Sequence, residues 1–347
     1  MIVDAIGHVI DRDYGAEDIE ALLTAEGRDL EELLGAAREV RDRRFGNRVF
    51  TYGFAYFSTH CRNDCAFCYY RASNGSTGRY RKDPDEIVDL ACRLRDSGVD
   101  LIDLTMGEDE AMRRNGFEGF LDIVSRVDEA VDIGIMASPG TVPRELMSPL
   151  REAGADWLAC YQETYDRGLF ERIRPGQSFD IRRDQKTWAH EAGLLSEDGM
   201  MVGIGEDPGS RALSVMEMGS LGCDQVRAMA FVPQIGTPMS SRVPGSPEDE
   251  IRAIATMRLM FPGRLIPASL DVEGISGLMA RLEAGANVVT SIVPDASLSG
   301  VAQHELDIGN GNRSVDHVFS VLGDCGFEPA SPSEYRRWMD SRRRILT

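Results

Sequence analysis

One short pattern recurs along most of this chain: an amphipathic stretch, a glycine, and then a run of apolar residues. The glycines at these joints are Gly98, Gly134, Gly154, Gly193, Gly222, Gly263 and Gly285. A helix that ends in a left-handed glycine and passes at once into a strand is typical of the αβ joint of an α/β protein. The segment RVFTYGFAYFSTH at 48–60, rich in β-branched and aromatic residues, predicts one strand before these joints. The chain is therefore expected to contain eight strands.

Eight successive βα units favour a (β/α)8 barrel, predicted over 48–299, with its chemistry where strands end and loops begin. The alternative is an open doubly wound sheet, which usually carries a glycine-rich phosphate loop after its first strand. Neither G-x-G-x-x-G nor G-x-x-x-x-G-K-[ST] occurs. Residues 1–47 are predicted to be an N-terminal helical extension, because 16–44 is charged with a helical period. Residues 300–347 are predicted to be C-terminal helices, or a lid, packed on the barrel within a single domain.

Charge and cysteine content narrow the class of partner. Among 347 residues, 57 acidic and 38 basic side chains give a net charge of -19, which argues against binding to nucleic acid or to anionic membranes. Apolar runs fall short of the ~18 residues of a membrane span. Acids at Asp4, Asp11 and Asp13 replace the basic and apolar stretch of a signal peptide. Seven cysteines, an odd number, argue against a secreted disulfide framework, so a cytoplasmic protein is expected.

Three cysteines are grouped directly after the first predicted strand. Cys61, Cys65 and Cys68 form C-x3-C-x2-C, and three thiolates on one loop can hold a metal centre while one coordination position stays open. A structural zinc site normally needs four protein ligands, for which His60 is the neighbouring candidate. A [4Fe–4S] cube on three thiolates leaves one iron free. The other cysteines are scattered and are expected to be small buried packing residues: Cys92, Cys160, Cys223 and Cys325.

With an aromatic residue before its last cysteine, this motif resembles the signature of the radical S-adenosylmethionine (SAM) enzymes. Five further segments are similar to blocks of the biotin synthase-like branch of that superfamily: TMGED at 105–109, QET at 162–164, FERIRPGQSFDIR at 170–182, MVGIGE at 201–206 and FVPQIGTPM at 231–239. The resemblance extends over residues 16–325. Within the branch, CRNDCAFCYYRASN at 61–74 and IPASLDVEGISG at 266–277 are most similar to the methylornithine synthases.

The resemblance implies a [4Fe–4S] cluster on the three motif cysteines, with SAM on the free iron. It places Phe67 near the adenine, and Gly107 and Glu108 near the SAM ammonium. Glu163 is expected at the ribose hydroxyls or the ammonium, and Arg182 at the methionine carboxylate, which a guanidinium can bind through two hydrogen bonds. From the residues alone, a loop glycine and surface salt bridges explain the same positions.

The expected substrate, L-lysine, presents one carboxylate and two ammonium groups. The resemblance implies that Asp103, Arg227, Ser269 and Asp271 bind it. Arg227 lies in an otherwise apolar strand, where an unpaired guanidinium is costly. It therefore needs a partner, either an internal acid or a substrate carboxylate. A buried Arg–Asp pair that only organises the barrel is the structural alternative.

The resemblance implies a mutase that converts L-lysine to 3-methylornithine, the first step of pyrrolysine biosynthesis. A 5′-deoxyadenosyl radical would remove a hydrogen from a mid-chain carbon, after which a carbon–carbon bond breaks and re-forms at the neighbouring carbon. A one-electron donor such as flavodoxin or ferredoxin and an anaerobic setting are implied as well. Two alternatives stay open: another enzyme of the branch, such as the iron–iron hydrogenase maturase, and a non-enzymatic iron–sulfur carrier. Biotin synthase is disfavoured, since no second group of cysteines is present.

Overall fold

A computed structural model of the chain describes residues 2–294 and 313–346. Its central feature is a sheet of eight parallel strands: β1 (Arg48–Ser58), β2 (Leu101–Met106), β3 (Gly134–Ser138), β4 (Trp157–Ala159), β5 (Leu195–Val202), β6 (Gln225–Ala230), β7 (Pro267–Ser269) and β8 (Val288–Ile292). The strands are ordered β6-β5-β4-β3-β2-β1-β8-β7, and one bridge between Gln225 and Leu265 connects the two ends. The sheet is thus a nearly closed barrel, which confirms the (β/α)8 prediction.

Helices surround the strands. Those before and between the strands are α1 (Ile2–Asp11), α2 (Ala16–Leu23), α3 (Gly27–Phe45), α4 (Pro84–Asp96), α5 (Glu110–Arg113), α6 (Glu118–Ala130), α7 (Met147–Glu152), α8 (Arg167–Ile173), α9 (Phe179–Glu191), α10 (Pro208–Ser220), α11 (Pro247–Met260) and α12 (Leu278–Glu283). Two more lie in the range 313–346: α13 (Val315–Asp324) and α14 (Pro332–Leu346). The first three pack outside the barrel against α10 and α11. No helix in the described part of the chain is both long and apolar enough to cross a bilayer.

Six of the seven predicted glycine joints precede a strand and the seventh, Gly134, begins one, but the expectation of a left-handed glycine was wrong at two of them. Gly134 and Gly263 do not have positive φ, in contrast to the other five. The preceding helix ends at Ala130, so Gly134 already belongs to β3. Glycine is needed at this position for space and not for a turn. A Cβ there would lie 3.0 Å from the Leu101 side chain and 3.2 Å from the Tyr335 ring.

Helix α14 covers the end of the barrel where the strands begin. Tyr335 and Met339 are buried in one apolar cluster with residues near the starts of the strands, including Phe50 and Trp157. The Trp338 ring stacks on the Trp157 ring with centroids 5.7 Å apart. A short strand, β9 (Glu328–Pro329), pairs with the first residues of β1 and brings the chain to this position. The helix therefore lies at the opposite end from the loop that follows β1.

The domain boundaries proposed from the sequence stay a prediction. Of the C-terminal segment, 300–312 and 347 lie outside the described residues, so the idea of a lid can be considered only for 313–346. Within the described part, α14 closes the barrel on the side of the strand starts, whereas Arg313 lies beside Asp271 at the other end.

Candidate active site

The three motif cysteines lie on the long loop that links β1 to α4. Its shape is set from within by Arg79, whose guanidinium donates to the carbonyl oxygens of Tyr70 at 2.8 Å and Arg71 at 2.6 Å. The Ala72 amide closes the cysteine turn by donating to the Asn63 carbonyl at 2.8 Å. These contacts to the main chain hold the loop together without a disulfide, since all three thiols are free.

Gly107, at the end of β2, lets this loop lie directly on the barrel. A Cβ at this position would be 2.4 Å from the His60 carbonyl oxygen and 3.0 Å from the Cys61 Cβ. Contacts this short are forbidden, so a glycine is required for the close approach. The position predicted from the sequence is thus explained by the packing of the cysteine loop.

A cavity of about 250 Å³ opens at the carboxyl ends of the strands. Its wall contains all three cysteines and most of the predicted site residues: Cys61, Cys65, Cys68, Phe67, Asp103, Gly107, Glu108, Glu163, Arg182 and Asp271. Arg227 instead lines a second, smaller cavity, which shares Asp103 and Tyr161 with the first. Ser269 is buried behind the wall and donates to the Asp271 carboxylate at 3.1 Å. The two predicted groups of side chains thus lie around two cavities that share part of their lining.

Glu108 and Arg182 form a buried ion pair on this wall. Arg182 Nη2 lies 3.0 Å from Glu108 Oε1, and both side chains are at most 5% exposed. Burial by itself raises the pKa of Glu108, but Arg182, the Thr141 amide and Arg113 outweigh it and lower the pKa. The carboxylate is therefore ionised. Glu108 and Arg182 therefore form a buried ion pair inside the site. The surface salt bridge that the residues alone allowed is not what the structure contains.

Glu163 has a neighbour of its own. Its carboxylate accepts from Arg174 Nη2 at 2.7 Å, and its backbone takes a φ of 68°, which is uncommon for a residue other than glycine. Strained backbone of this kind concentrates at functional sites. Burial raises the pKa of Glu163, and the charges of Arg174 and Arg182 partly oppose that rise.

On the substrate side, Arg227 has an internal acid as its partner. Its Nε lies 2.9 Å from Glu197 Oε1, and Glu197 is fully buried. Its guanidinium lies over the Tyr161 ring at 5.3 Å. Asp103 accepts from the Ser138 hydroxyl at 2.6 Å, and burial raises the pKa of Asp103 to about 7.

Asp271 is bound by several donors. The hydroxyls of Ser269 and Ser291 donate to Oδ2 at 3.1 and 2.6 Å, and Arg313 lies 3.0 Å from Oδ1. Ser291 also has a positive φ, 67°, so two residues of this kind lie at the site. The orientation of the Asp271 carboxyl group is thus set by these donors.

Four residues that sequence reasoning missed belong to the same constellation: Arg174, Gln177, Glu197 and Arg313. The strand that carries Glu197, LSEDGMMV, has two adjacent acids and a glycine, so it lacks the lone charge in an apolar strand that distinguishes Arg227. Arg174 and Gln177 lie in the segment FERIRPGQSFDIR at 170–182, which is similar to a block of the biotin synthase-like branch, but only Arg182 of that segment is predicted as a site residue. No local pattern distinguishes Arg313.

The remaining cysteines mostly follow the expectation. Cys160 and Cys223 are buried beside strands, and Cys92 is half-buried in α4. Cys325 is exposed directly after α13, so its prediction as a buried packing residue was wrong; its neighbours Gly323, Asp324 and Gly326 are exposed as well. Cys160 lines the cavity, where its sulfur lies 3.3 Å from Arg182 Nη1.

The donor set can be tested for the centre it would hold. Within residues 2–294 and 313–346, no three His, Cys, Asp or Glu side chains are gathered as a single metal ion requires. The three cysteines nevertheless line one cavity, and burial raises the pKa of Cys68 to about 12 and that of Cys61 in the same direction. Thiolates in so buried a place need a cationic centre. Three sulfurs spread around a cavity fit a polynuclear cluster better than one zinc ion.

Comparison with known proteins agrees with this geometry. Residues 55–213 match the family model described as the Radical SAM superfamily. The 3-methylornithine synthase of Methanosarcina barkeri is 43% identical over 336 residues, which cover 96% of this chain and 95% of that protein. That of Methanosarcina acetivorans is 44% identical, covering 92% and 91%. A crystal structure of methylornithine synthase superposes with a TM-score of 0.90 at 42% identity, covering 96% of this chain and 99% of that one.

A barrel with a three-cysteine loop at the carboxyl end of its first strand, matched over 55–213 by that model, defines a radical SAM enzyme. At 43–44% identity over more than nine-tenths of its length, the chain belongs to the 3-methylornithine synthase family. The radical SAM class carries with it SAM and an iron–sulfur cluster as cofactors.

Proposed function

We propose that this chain converts L-lysine to 3-methylornithine, the first step of pyrrolysine biosynthesis. The observation that carries the proposal is the set of charges around the two cavities, which share Asp103 in their linings: one guanidinium, Arg227, and two carboxylates, Asp103 and Asp271. Lysine presents the complementary set, one carboxylate and two ammonium groups. All three side chains are at most 8% exposed, so their interactions with a ligand are little weakened by water.

We further propose that Cys61, Cys65 and Cys68 hold a [4Fe–4S] cluster. When bound, the cluster and SAM supply a radical that removes hydrogen from an unactivated carbon, which protein side chains cannot do. Glu163 and Arg182 are the residues proposed to bind SAM, with Phe67 beside the adenine. Glu108 is the partner of Arg182, so its proposed contact with the SAM ammonium would be shared with that arginine.

Arg227 is well prepared to bind a carboxylate. Glu197 uses its Nε–H at 2.9 Å, which orients the planar guanidinium and leaves the two terminal NH2 groups as donors for a bidentate contact. Asp103 and Asp271 are the acceptors proposed for the two ammonium groups. Since Arg313 also pairs with Asp271, the ammonium at this carboxylate would share its acceptor.

The protein must also hold two substrate fragments together while a carbon–carbon bond is broken and re-formed. A pocket deep in the barrel favours this, because recombination within one enclosed space avoids diffusion apart and side reactions with water. The small cavity, of about 10 Å³, lies inside the barrel and is lined by Tyr52, Tyr161 and Thr290 among others.

The direct test is an anaerobic incubation of the reconstituted protein with SAM, lysine and dithionite, which replaces the proposed flavodoxin or ferredoxin. We expect 3-methylornithine by mass spectrometry. If the cluster is confirmed by EPR and no methylornithine forms, the substrate is wrong although the class of enzyme stands.

Arg227 separates this function from that of a maturase or a carrier. Arg227→Lys should abolish lysine turnover while SAM still binds, because a point charge replaces the bidentate fork. Arg144→Lys is the matched control, since Arg144 lies on the surface in a pair with Glu191. Equal turnover in parent and Arg227→Lys would contradict the proposed lysine site.

A further inference from the structure

Cys65, the middle cysteine of the motif, receives two side-chain hydrogen-bond donors from outside its own loop. Arg174 Nη1 lies 3.3 Å and Gln177 Nε2 3.0 Å from the Cys65 sulfur. Both donors stand between α8 and α9, on the segment that links Ile173 to Phe179. The loop and this segment are also joined by their main chains, since the Ala66 amide donates to the Ile173 carbonyl at 2.7 Å.

The orientation of the Gln177 amide follows from its other contacts. Its oxygen accepts from Arg182 Nη2 at 2.8 Å and from Arg174 Nη1 at 3.4 Å. Because arginine can only donate, the oxygen must face the two guanidinium groups. The NH2 group is thereby directed to the Cys65 sulfur.

Arg174 brings a full positive charge to the same sulfur. It is buried, its other terminal nitrogen lies 2.7 Å from Glu163, and its guanidinium lies over the Phe67 ring at 5.2 Å. Burial alone lowers the pKa of Arg174, but Cys65 and Glu163 beside it more than offset this and raise it. The charge acts across a region of low polarity, where it is weakly screened.

We infer that Arg174 and Gln177 are positioning residues that raise the reduction potential of the cluster held by the three motif cysteines. The inference rests on the cluster of the proposed function. Reduction adds an electron whose negative charge is spread in part over the cysteine sulfurs. Hydrogen bonds and a nearby cation therefore stabilise the reduced form more than the oxidised form, which are the recognised means of tuning such potentials.

The residues also connect the two parts of the proposed cofactor site. Arg174 touches Cys65 with one nitrogen and Glu163 with the other, and Gln177 touches Cys65 and Arg182. Glu163 and Arg182 are the residues proposed to bind SAM. A change at Arg174 or Gln177 would then affect the cluster potential without removing any ligand of the metal.

The test is an EPR-monitored redox titration of the reconstituted protein in the absence of SAM and lysine. Four variants are compared with the parent: Arg174→Met, Arg174→Lys, Gln177→Leu and Arg172→Met. Arg174→Met should shift the midpoint to a more negative value, and Gln177→Leu should shift it in the same direction by less. Arg174→Lys, which keeps the charge, should fall between Arg174→Met and the parent.

Arg172→Met is the matched control. It removes the same charge from the same chain segment, but Arg172 is exposed, and so its midpoint should stay at that of the parent. A parental midpoint in both Arg174→Met and Gln177→Leu would overturn the inference. An equal shift in Arg172→Met would overturn it too, since that would indicate a general effect of net charge.

Iron and sulfide content accompany each titration. If Arg174→Met does not load a cluster, Gln177→Leu and Arg174→Lys decide, because both keep a polar or closely packed side chain at the site. The titration needs no turnover, so a loaded protein that makes no methylornithine would refute the lysine substrate and leave this inference intact. A parent protein that binds zinc at the three motif cysteines and takes up no iron–sulfur cluster would refute both the proposed function and this inference.

Discussion

Several buried charges of this barrel occur as acid–base pairs, among them Arg227 with Glu197, Arg182 with Glu108 and Arg174 with Glu163. In the pair of Arg227 and Glu197, the two side chains are 6% and 0% exposed. A buried pair costs much desolvation, and it is more often neutral than stabilising compared with apolar residues of similar volume. Its retention is thus better explained by the orientation it imposes on Arg227 than by stability.

This pair should show a large asymmetry between single and double substitutions. Glu197→Leu alone should lower the free energy of unfolding by about 3–5 kcal/mol, because it leaves the Arg227 charge buried without a partner. Arg227→Met combined with Glu197→Leu should recover much of that loss. Denaturant unfolding of the anaerobic protein measures the double variant and both single variants, Glu197→Leu and Arg227→Met.

The control for this cycle is Glu191→Leu, which breaks the exposed pair of Arg144 and Glu191, with side chains 63% and 46% exposed. It should cost less than about 1 kcal/mol. A double variant that is as unstable as the sum of the two single variants would show that the two charges do not stabilise one another.

Asp103 predicts a pH dependence of lysine binding. Burial raises the pKa of this carboxyl from its ordinary value of 3.8 to about 7, so it is mostly protonated at pH 6 and mostly ionised at pH 8. Since the ionised form is the acceptor for an ammonium group, lysine should bind about tenfold tighter at pH 8 than at pH 6. Isothermal titration calorimetry of the reconstituted protein, without a reductant, measures the lysine affinity at the two pH values.

Rising pH has the opposite effect on the stability of the fold: it strengthens lysine binding but destabilises the ligand-free protein. Because the folded-state pKa of Asp103 lies above the unfolded value, the ligand-free protein loses stability as the pH rises from about 4 to about 7 and loses no more above it. Asp103→Asn should remove that loss together with the pH dependence of lysine binding. Binding that stays equally pH-dependent in Asp103→Asn would assign the effect to another group.

At the scale of an element, the junction between the cysteine loop and β2 depends on one missing side chain. Gly107→Ala places a Cβ within 2.4 Å of the His60 carbonyl oxygen, so the loop must move away from the barrel. Far-ultraviolet circular dichroism should stay unchanged, because the strand pairing of β2 is intact. Iron and sulfide content after reconstitution should fall at least several-fold.

Gly75→Ala provides a matched control on the same loop. No atom lies within 4 Å of a Cβ built at Gly75, and its φ is not positive. It should therefore load as much iron as the parent. Normal loading in Gly107→Ala would mean that the loop adapts to the added methyl group.

For the whole molecule, the important division is between the two ends of the barrel. The cofactor loop and the larger cavity lie where the strands end, whereas α14 packs where they begin. Met339 is buried there, and the Trp157 indole N–H lies 3.3 Å from its sulfur. The end that carries no chemistry is thus closed by the end of the chain.

Met339→Ala should consequently lower stability and leave the cofactor site unchanged. A large-to-small change at a buried position costs about 2–5 kcal/mol, which thermal unfolding should detect as a lower Tm. SAM binding and iron content should equal those of the parent. Arg337→Ala, an exposed change on the same helix, should affect neither. Loss of SAM binding in Met339→Ala would instead indicate that this helix takes part in closing the active site.

The sequence carried enough local information for the strands and for the cysteines. Each strand follows a glycine joint or a β-branched run, and hydrophobic periodicity is a short-range property. C-x3-C-x2-C is contiguous, so its three thiolates must be close whatever the remainder of the chain does. Family resemblance then extended these signals to Asp103, Arg182 and Asp271, which the structure does bring to one cavity.

What only the tertiary structure decided is the partner of each of these groups. Arg227 is bound by Glu197 on the neighbouring strand, Asp271 by Arg313, and Cys65 by Arg174 and Gln177. Separations of 30 to 112 residues divide these partners, and no local pattern records such distances. Sequence by itself determines which elements form and which loop holds the thiolates. The closure of the barrel determines which side chains meet at its carboxyl end, because it gathers the ends of all eight strands into one space.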